Sequence, residues 1–195
     1  MRPLLIVLCL LALSTSDAPV AQPTDSPTVT RPRGPRQMSG PRFGVTYLPP
    51  ALVRRIDEDV PGIRCLLSDD PEACEERPGL SSPVVSQFGW QLERRTFQTT
   101  SGVTGLTELV LLVGGLEQGL LLPSATFLVG VRTPAGLEAG IGPNVTPLSL
   151  GLALSAGTAQ DFGDLAVPVN AAVVLGPEGP RVSLLIGVVL SDRVH

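Results

Sequence analysis

The chain has 195 residues, of which only 16% are charged, a formal net charge of −4 and a mean hydropathy of +0.30. The acidic balance excludes a nucleic-acid partner, which is held through a basic patch. Charge is scarce beside the roughly 25% of an average domain, so part of the surface is suited to face something other than water.

The N-terminus reads as an export signal over residues 1–21. Arg2 supplies a basic start, and Leu4 to Leu13 is an apolar run. At about ten residues it is too short for a spanning helix, which needs ~20. Small residues from Ser14 to Ala21 follow, the composition of a cleavage region. Residues 22–41 are rich in Pro, Ser and Thr and carry Arg31, Arg33 and Arg36. Such a stretch buries too little apolar area to order itself and reads as a flexible tether. The rest, residues 42–195, is read as one domain.

Phe43 to Leu48 is rich in β-formers and stops at Pro49-Pro50. In Ala51 to Val60 the apolar residues Leu52, Val53, Ile56 and Val60 fall at helical spacing, and Pro61-Gly62 ends the run. Ile63 to Pro78 is polar and reads as a loop. It holds Cys65 and Cys74, which in an oxidising compartment are expected to form a disulfide. Its acids Asp69, Asp70, Glu72, Glu75 and Glu76 lack the spacing of a calcium loop. No histidine or cysteine pattern suits a metal site, and no cofactor is expected.

From Pro83 the chain reads as strand after strand: Val84–Gln98, Leu106–Val113, Leu120–Arg132, Leu137–Ile141, Leu148–Thr158, Leu165–Leu175 and Val182–Leu190. Turn signals recur about every ten to fifteen residues, and Gly142-Pro143-Asn144 is read as one of them. The clearest strand runs from Leu148, where leucines alternate with Ser149, Gly151, Ala153 and Ser155. A strand sends alternate side chains to opposite faces. Bulky against small, rather than apolar against charged, suits leucines that meet lipid or a thick core and small residues that line a narrow interior. With Phe43–Leu48 there are eight strands, enough for an all-β antiparallel meander closing into a small barrel, its first strand beside its last.

Charges inside the apolar strands, Glu93, Arg94, Arg95, Glu108, Arg132, Glu138 and Arg181, are the candidate functional residues. A charge on a lipid face costs about 2–4 kcal/mol at the midplane, so these are expected to point inward and pair or to sit at strand ends. Glu93, Arg95, Glu108 and Glu138, joined by Asn170, are expected to form an interior polar network. That network reads as a structural plug, with a small polar ligand site as the alternative. Pro168 marks a bulge or local opening. No catalytic set is visible: His195, the single histidine, is the last residue, and the glycines of 136–142 lack phosphate-loop spacing. An enzyme is therefore not expected.

Five segments, Ser86–Gln91, Gly114–Gly119, Gly140–Asn144, Pro168–Val174 and Arg181–Gly187, together with Pro41–Leu48, resemble a family of secreted, uncharacterised bacterial β-barrel-like proteins. The likeness covers residues 41–190. It implies a bacterial envelope location and a β fold, and no activity. The chain departs from it in its few aromatics and in the Cys65–Cys74 segment.

Two roles follow. One is a small outer-membrane barrel with a structural or binding role, in contact with outer-membrane lipid. The other is a soluble periplasmic or secreted barrel that carries a small apolar ligand. Few aromatics for interface girdles and a polar C-terminus weigh against the first; low charge weighs against the second.

Overall fold

The computed structural model describes residues 38–67, 79–162 and 165–190. The export signal, almost all of the tether and Cys74 lie outside the described residues, so the expected cleavage and the expected Cys65–Cys74 bond do too. No described helix is long and apolar enough to cross a membrane, which says nothing of strands.

Eight strands form a closed antiparallel meander: β1 (Gly40–Tyr47), β2 (Val84–Gln98), β3 (Thr104–Gly114), β4 (Leu122–Arg132), β5 (Leu137–Val145), β6 (Leu150–Phe162), β7 (Leu165–Gly176) and β8 (Gly179–Gly187). Each pairs with its neighbours in sequence. The ring closes where β1 pairs with β8, from Arg42 opposite Gly187 to Tyr47 opposite Val182. Closure leaves no unpaired edge strand to template aggregation. A two-residue strand, β9 (Val189–Leu190), continues β8 onto the start of β7.

One end of the barrel carries the start of β1, the end of β8 and the β2–β3 and β4–β5 turns. We call it the terminal end. The other, the capped end, carries the long β1–β2 connection. That connection contains α1 (Pro50–Asp59) and α2 (Ile63–Leu67). Pro50 opens α1, where its missing N–H costs nothing. Leu52 and Ile56, one turn apart, put α1 onto the barrel mouth against Leu48, Val85 and Leu120, all buried. α2 lies where the sequence indicates a polar loop; the apolar pair Leu66 and Leu67 extends past Pro61-Gly62 but remains exposed.

Several boundaries differ from those read in the sequence. β5 continues through Gly142-Pro143-Asn144, so Asn144 is a buried strand residue and not a turn residue. The missing N–H of Pro143 is tolerated because the β4–β5 ladder is open there: pairing skips from Thr126 opposite Asn144 to Val129 opposite Ile141. Pro168 produces no bulge in the β6–β7 register. It sits opposite the break between β8 and β9, which is a local opening of the ladder. The leucine series also divides. Leu150, Leu152 and Leu154 project from β6 with 65%, 44% and 42% exposure, whereas Leu148 precedes the strand and packs under α1.

Candidate functional site: an apolar outer face around a polar interior

The strand period sorts the residues of the wall into two faces. Outward positions carry Phe43, Val45 and Tyr47 on β1; Phe88, Trp90 and Leu92 on β2; Phe127, Val129 and Val131 on β4; and Val182, Leu184 and Ile186 on β8, all exposed. β5, β6 and β7 add Ile141, Leu152 and Leu175. Arg94 is the single charge at an outward position among the described strand residues, and it lies toward the terminal end of β2. On β4 the outward apolar run from Pro123 to Val131 spans about 27 Å along the strand at about 3.4 Å per residue, or about 21 Å along a barrel axis tilted by about 40°. That approaches the roughly 25 Å apolar band of a bilayer-spanning barrel. Aromatics concentrate on one wall, where Phe43 faces Phe88 across β1 and β2.

Inward positions carry glycines and other small residues, polar and charged side chains, and one cluster of larger apolar ones. The glycines let neighbouring strands pinch together: a Cβ at Gly44 would overlap the Leu184 carbonyl, and one at Gly157 would overlap Asn170 Nδ2. Small residues on one strand thus make room for long polar ones on another, as in a barrel filled by its own side chains.

Near the terminal end, Arg132 on β4 bridges the lumen. Its Nη1 and Nη2 donate to Glu93 Oε1 and Oε2 on β2 at 2.8 and 2.5 Å, and its Nε donates to Glu138 Oε1 on β5 at 2.7 Å. Glu93, Arg132 and Glu138 are 1%, 1% and 9% exposed. Arg42 on β1 lies in the same region, fully buried, and donates from Nε to Gln91 Oε1, from Nη1 to the Pro41 carbonyl and from Nη2 to the Met38 carbonyl. Its guanidinium fills the space left by Gly187. Glu108 stands directly opposite Glu93 in the β2–β3 register and is buried, with no cation of the described residues within ion-pair distance.

A second polar layer lies toward the capped end. Arg181 Nη2 on β8 donates to Asn144 Oδ1 on β5 at 2.8 Å, and Asn144 Nδ2 donates to Thr126 Oγ1 at 2.7 Å. Thr46 Oγ1 donates to Gln87 Oε1 at 2.6 Å and shares a 2.7 Å hydrogen bond with Ser183. Val110, Leu112, Leu128, Ala153, Val174 and Leu185 form an apolar cluster in the lumen. Above the second layer α1 seals the mouth. Arg55 of α1 is ion-paired with Glu178 in the β7–β8 turn, and Asp57 Oδ1 accepts from the Leu80 amide at 2.8 Å.

Of the candidates read from the sequence, Glu93 and Glu138 meet on Arg132, and Glu108 faces Glu93. Asn170 points inward beside Gly157, itself opposite Glu138, but its Oδ1 is buried without a partner. Arg95 departs from the interior network: it is exposed at the rim, where the Arg95/Phe97 register shift ends the regular part of β2. Arg42 joins the interior although the β-forming signal of the sequence begins only at Phe43, since β1 starts at Gly40. Alternation with Phe43 and Val45 is the signal that finds it. No group of His, Cys, Asp and Glu suited to a metal occurs among the described residues.

Comparison with protein-family models, curated proteins and solved structures returns no match.

Proposed function

We propose that the chain is a small barrel embedded in a bacterial outer membrane, with a structural or binding role and no catalytic one. The observation that carries this reading is the outer face, apolar on each of the eight strands and charged at Arg94 alone among its described positions. Soluble monomers rarely expose a contiguous apolar patch beyond a few hundred Å². A belt around the whole circumference is matched by lipid, which also receives the bulky face of β6. The expected export signal and the likeness to envelope proteins support the same location.

A soluble carrier of an apolar ligand calls for the reverse arrangement, with apolar side chains lining a cavity and polar ones in water. Here Arg42, Glu93, Glu108, Arg132 and Glu138 occupy the interior, the apolar cluster within it is close-packed, and the outer face is leucine, valine and phenylalanine. The polar layers are a plug.

Fractionation of producing cells tests the proposal. The protein is expected in the membrane pellet after a urea wash and to migrate faster in SDS when unheated. Recovery in the detergent-free supernatant overturns it.

A further inference from the structure

Two of the interior arginines, Arg42 and Arg132, engage all three of their side-chain nitrogens with acceptors. Arg181 does not. Its one hydrogen bond runs from Nη2 to the neutral amide of Asn144. Its Nε and Nη1 have no acceptor among the described residues, yet they are not among the side-chain nitrogens sealed from solvent. A guanidinium carries five N–H donors in a fixed fork, so most of this fork is free and reached by water although the residue is only 8% exposed. Glu178, the acid whose charge acts on Arg181, is held by Arg55 of α1.

Apolar groups surround this part of the barrel. The β7–β8 hairpin that bears Arg181 rests against Pro49, at the start of α1, through Gly179. Across the same mouth lie Leu52, Ile56, Val85 and Leu120. We propose that the capped end is a binding site for the carboxylate of a short amphiphile, with the head on the free Arg181 fork and the tail among the leucines beneath α1. A planar fork matches a carboxylate in bidentate geometry. One guanidinium with Glu178 already close suits a single negative charge better than a phosphate dianion. The site lies inside the barrel wall, so it does not depend on what the outer face meets.

The test uses the refolded full chain, labelled with ¹⁵N-arginine, in nanodiscs of zwitterionic lipid. Sodium hexanoate, sodium acetate and inorganic phosphate are titrated separately, and the Arg181 Nε–Hε resonance, assigned by its loss in Arg181→Gln, is followed. Hexanoate is expected to shift it saturably, with affinity about tenfold above acetate, the effect of burying two of its four extra methylenes. Leu52→Ala, which thins the roof, is expected to weaken hexanoate and leave acetate unchanged. Should Arg181→Gln fail to fold, Arg181→Lys provides the assignment. Absence of a saturable shift overturns the site. Acetate or phosphate binding as tightly as hexanoate overturns the amphiphile.

Discussion

Arg132 on β4 reaches past β3 to hold both carboxylate oxygens of Glu93 on β2, at 2.8 and 2.5 Å. The bidentate pair is almost fully buried and braces two strands that share no ladder. A buried pair adds little over a well-packed apolar substitute, but losing Glu93 takes the acceptors from Nη1 and Nη2 of a buried guanidinium that keeps Glu138 on Nε. Glu93→Ala is therefore expected to cost about 3–5 kcal/mol, seen as a lower urea midpoint for loss of the fast-migrating form in SDS. An unchanged midpoint contradicts the bridging role.

The two faces of β6 respond differently. Leu152 projects outward and Ser155 inward. Leu152→Arg places a charge in the belt, at about 2–4 kcal/mol if the belt meets lipid. It is expected to block assembly into liposomes, whereas Ser155→Ala does little, its hydroxyl making only a 3.5 Å contact with the Gly140 carbonyl. Equal folding yields refute the assignment of faces.

Glycines inside the wall are there for space. A Cβ at Gly44 would overlap the Leu184 backbone of the neighbouring strand, which cannot move without opening the β1–β8 seam. Gly140 differs, since a Cβ there would first meet the Ser155 hydroxyl, at 3.1 Å. Gly44→Ala is expected to lower refolding yield sharply and Gly140→Ala only slightly, by circular dichroism after dilution from urea.

The cap is an apolar contact before it is an electrostatic one. Ile56, on the barrel-facing side of α1, is 2% exposed, and truncation of such a residue costs about 2–5 kcal/mol. Arg55, with 45% of its side chain exposed, makes an ion pair of the kind that contributes about 0–1 kcal/mol. In hydrogen exchange, Ile56→Ala is expected to deprotect Pro50–Asp59 while the β4 amides stay protected; Arg55→Ala is expected to change little. The reverse order would make the ion pair the main fastening.

Most of the barrel is legible in the sequence because its signal is local. Alternation at β6 and turns such as Gly176–Gly179 mark strands and their ends without any knowledge of their neighbours. Position along the lumen is not local. Asn144 follows Gly-Pro and reads as a turn, yet the open ladder beside Pro143 lets the strand run on and carries Asn144 to Arg181, three strands away around the ring by way of β6 and β7. Arg95 has the inward parity of Glu93, but parity does not reveal that the strand leaves the lumen at the following register shift. The centre of the ionic layer was likewise hidden: Arg132 is one of several strand charges until the ring brings Glu93 and Glu138 to it.

Trp90 offers the most direct test of the central claim, that lipid covers the outer face. It is the single tryptophan of the chain and projects from β2 with half of its surface exposed. Its fluorescence should be measured after refolding into bilayers whose acyl chains carry bromine, against the same bilayers without it. Strong quenching with a blue-shifted emission maximum is expected. Unquenched, red-shifted emission from a folded barrel would place Trp90 in water and contradict it.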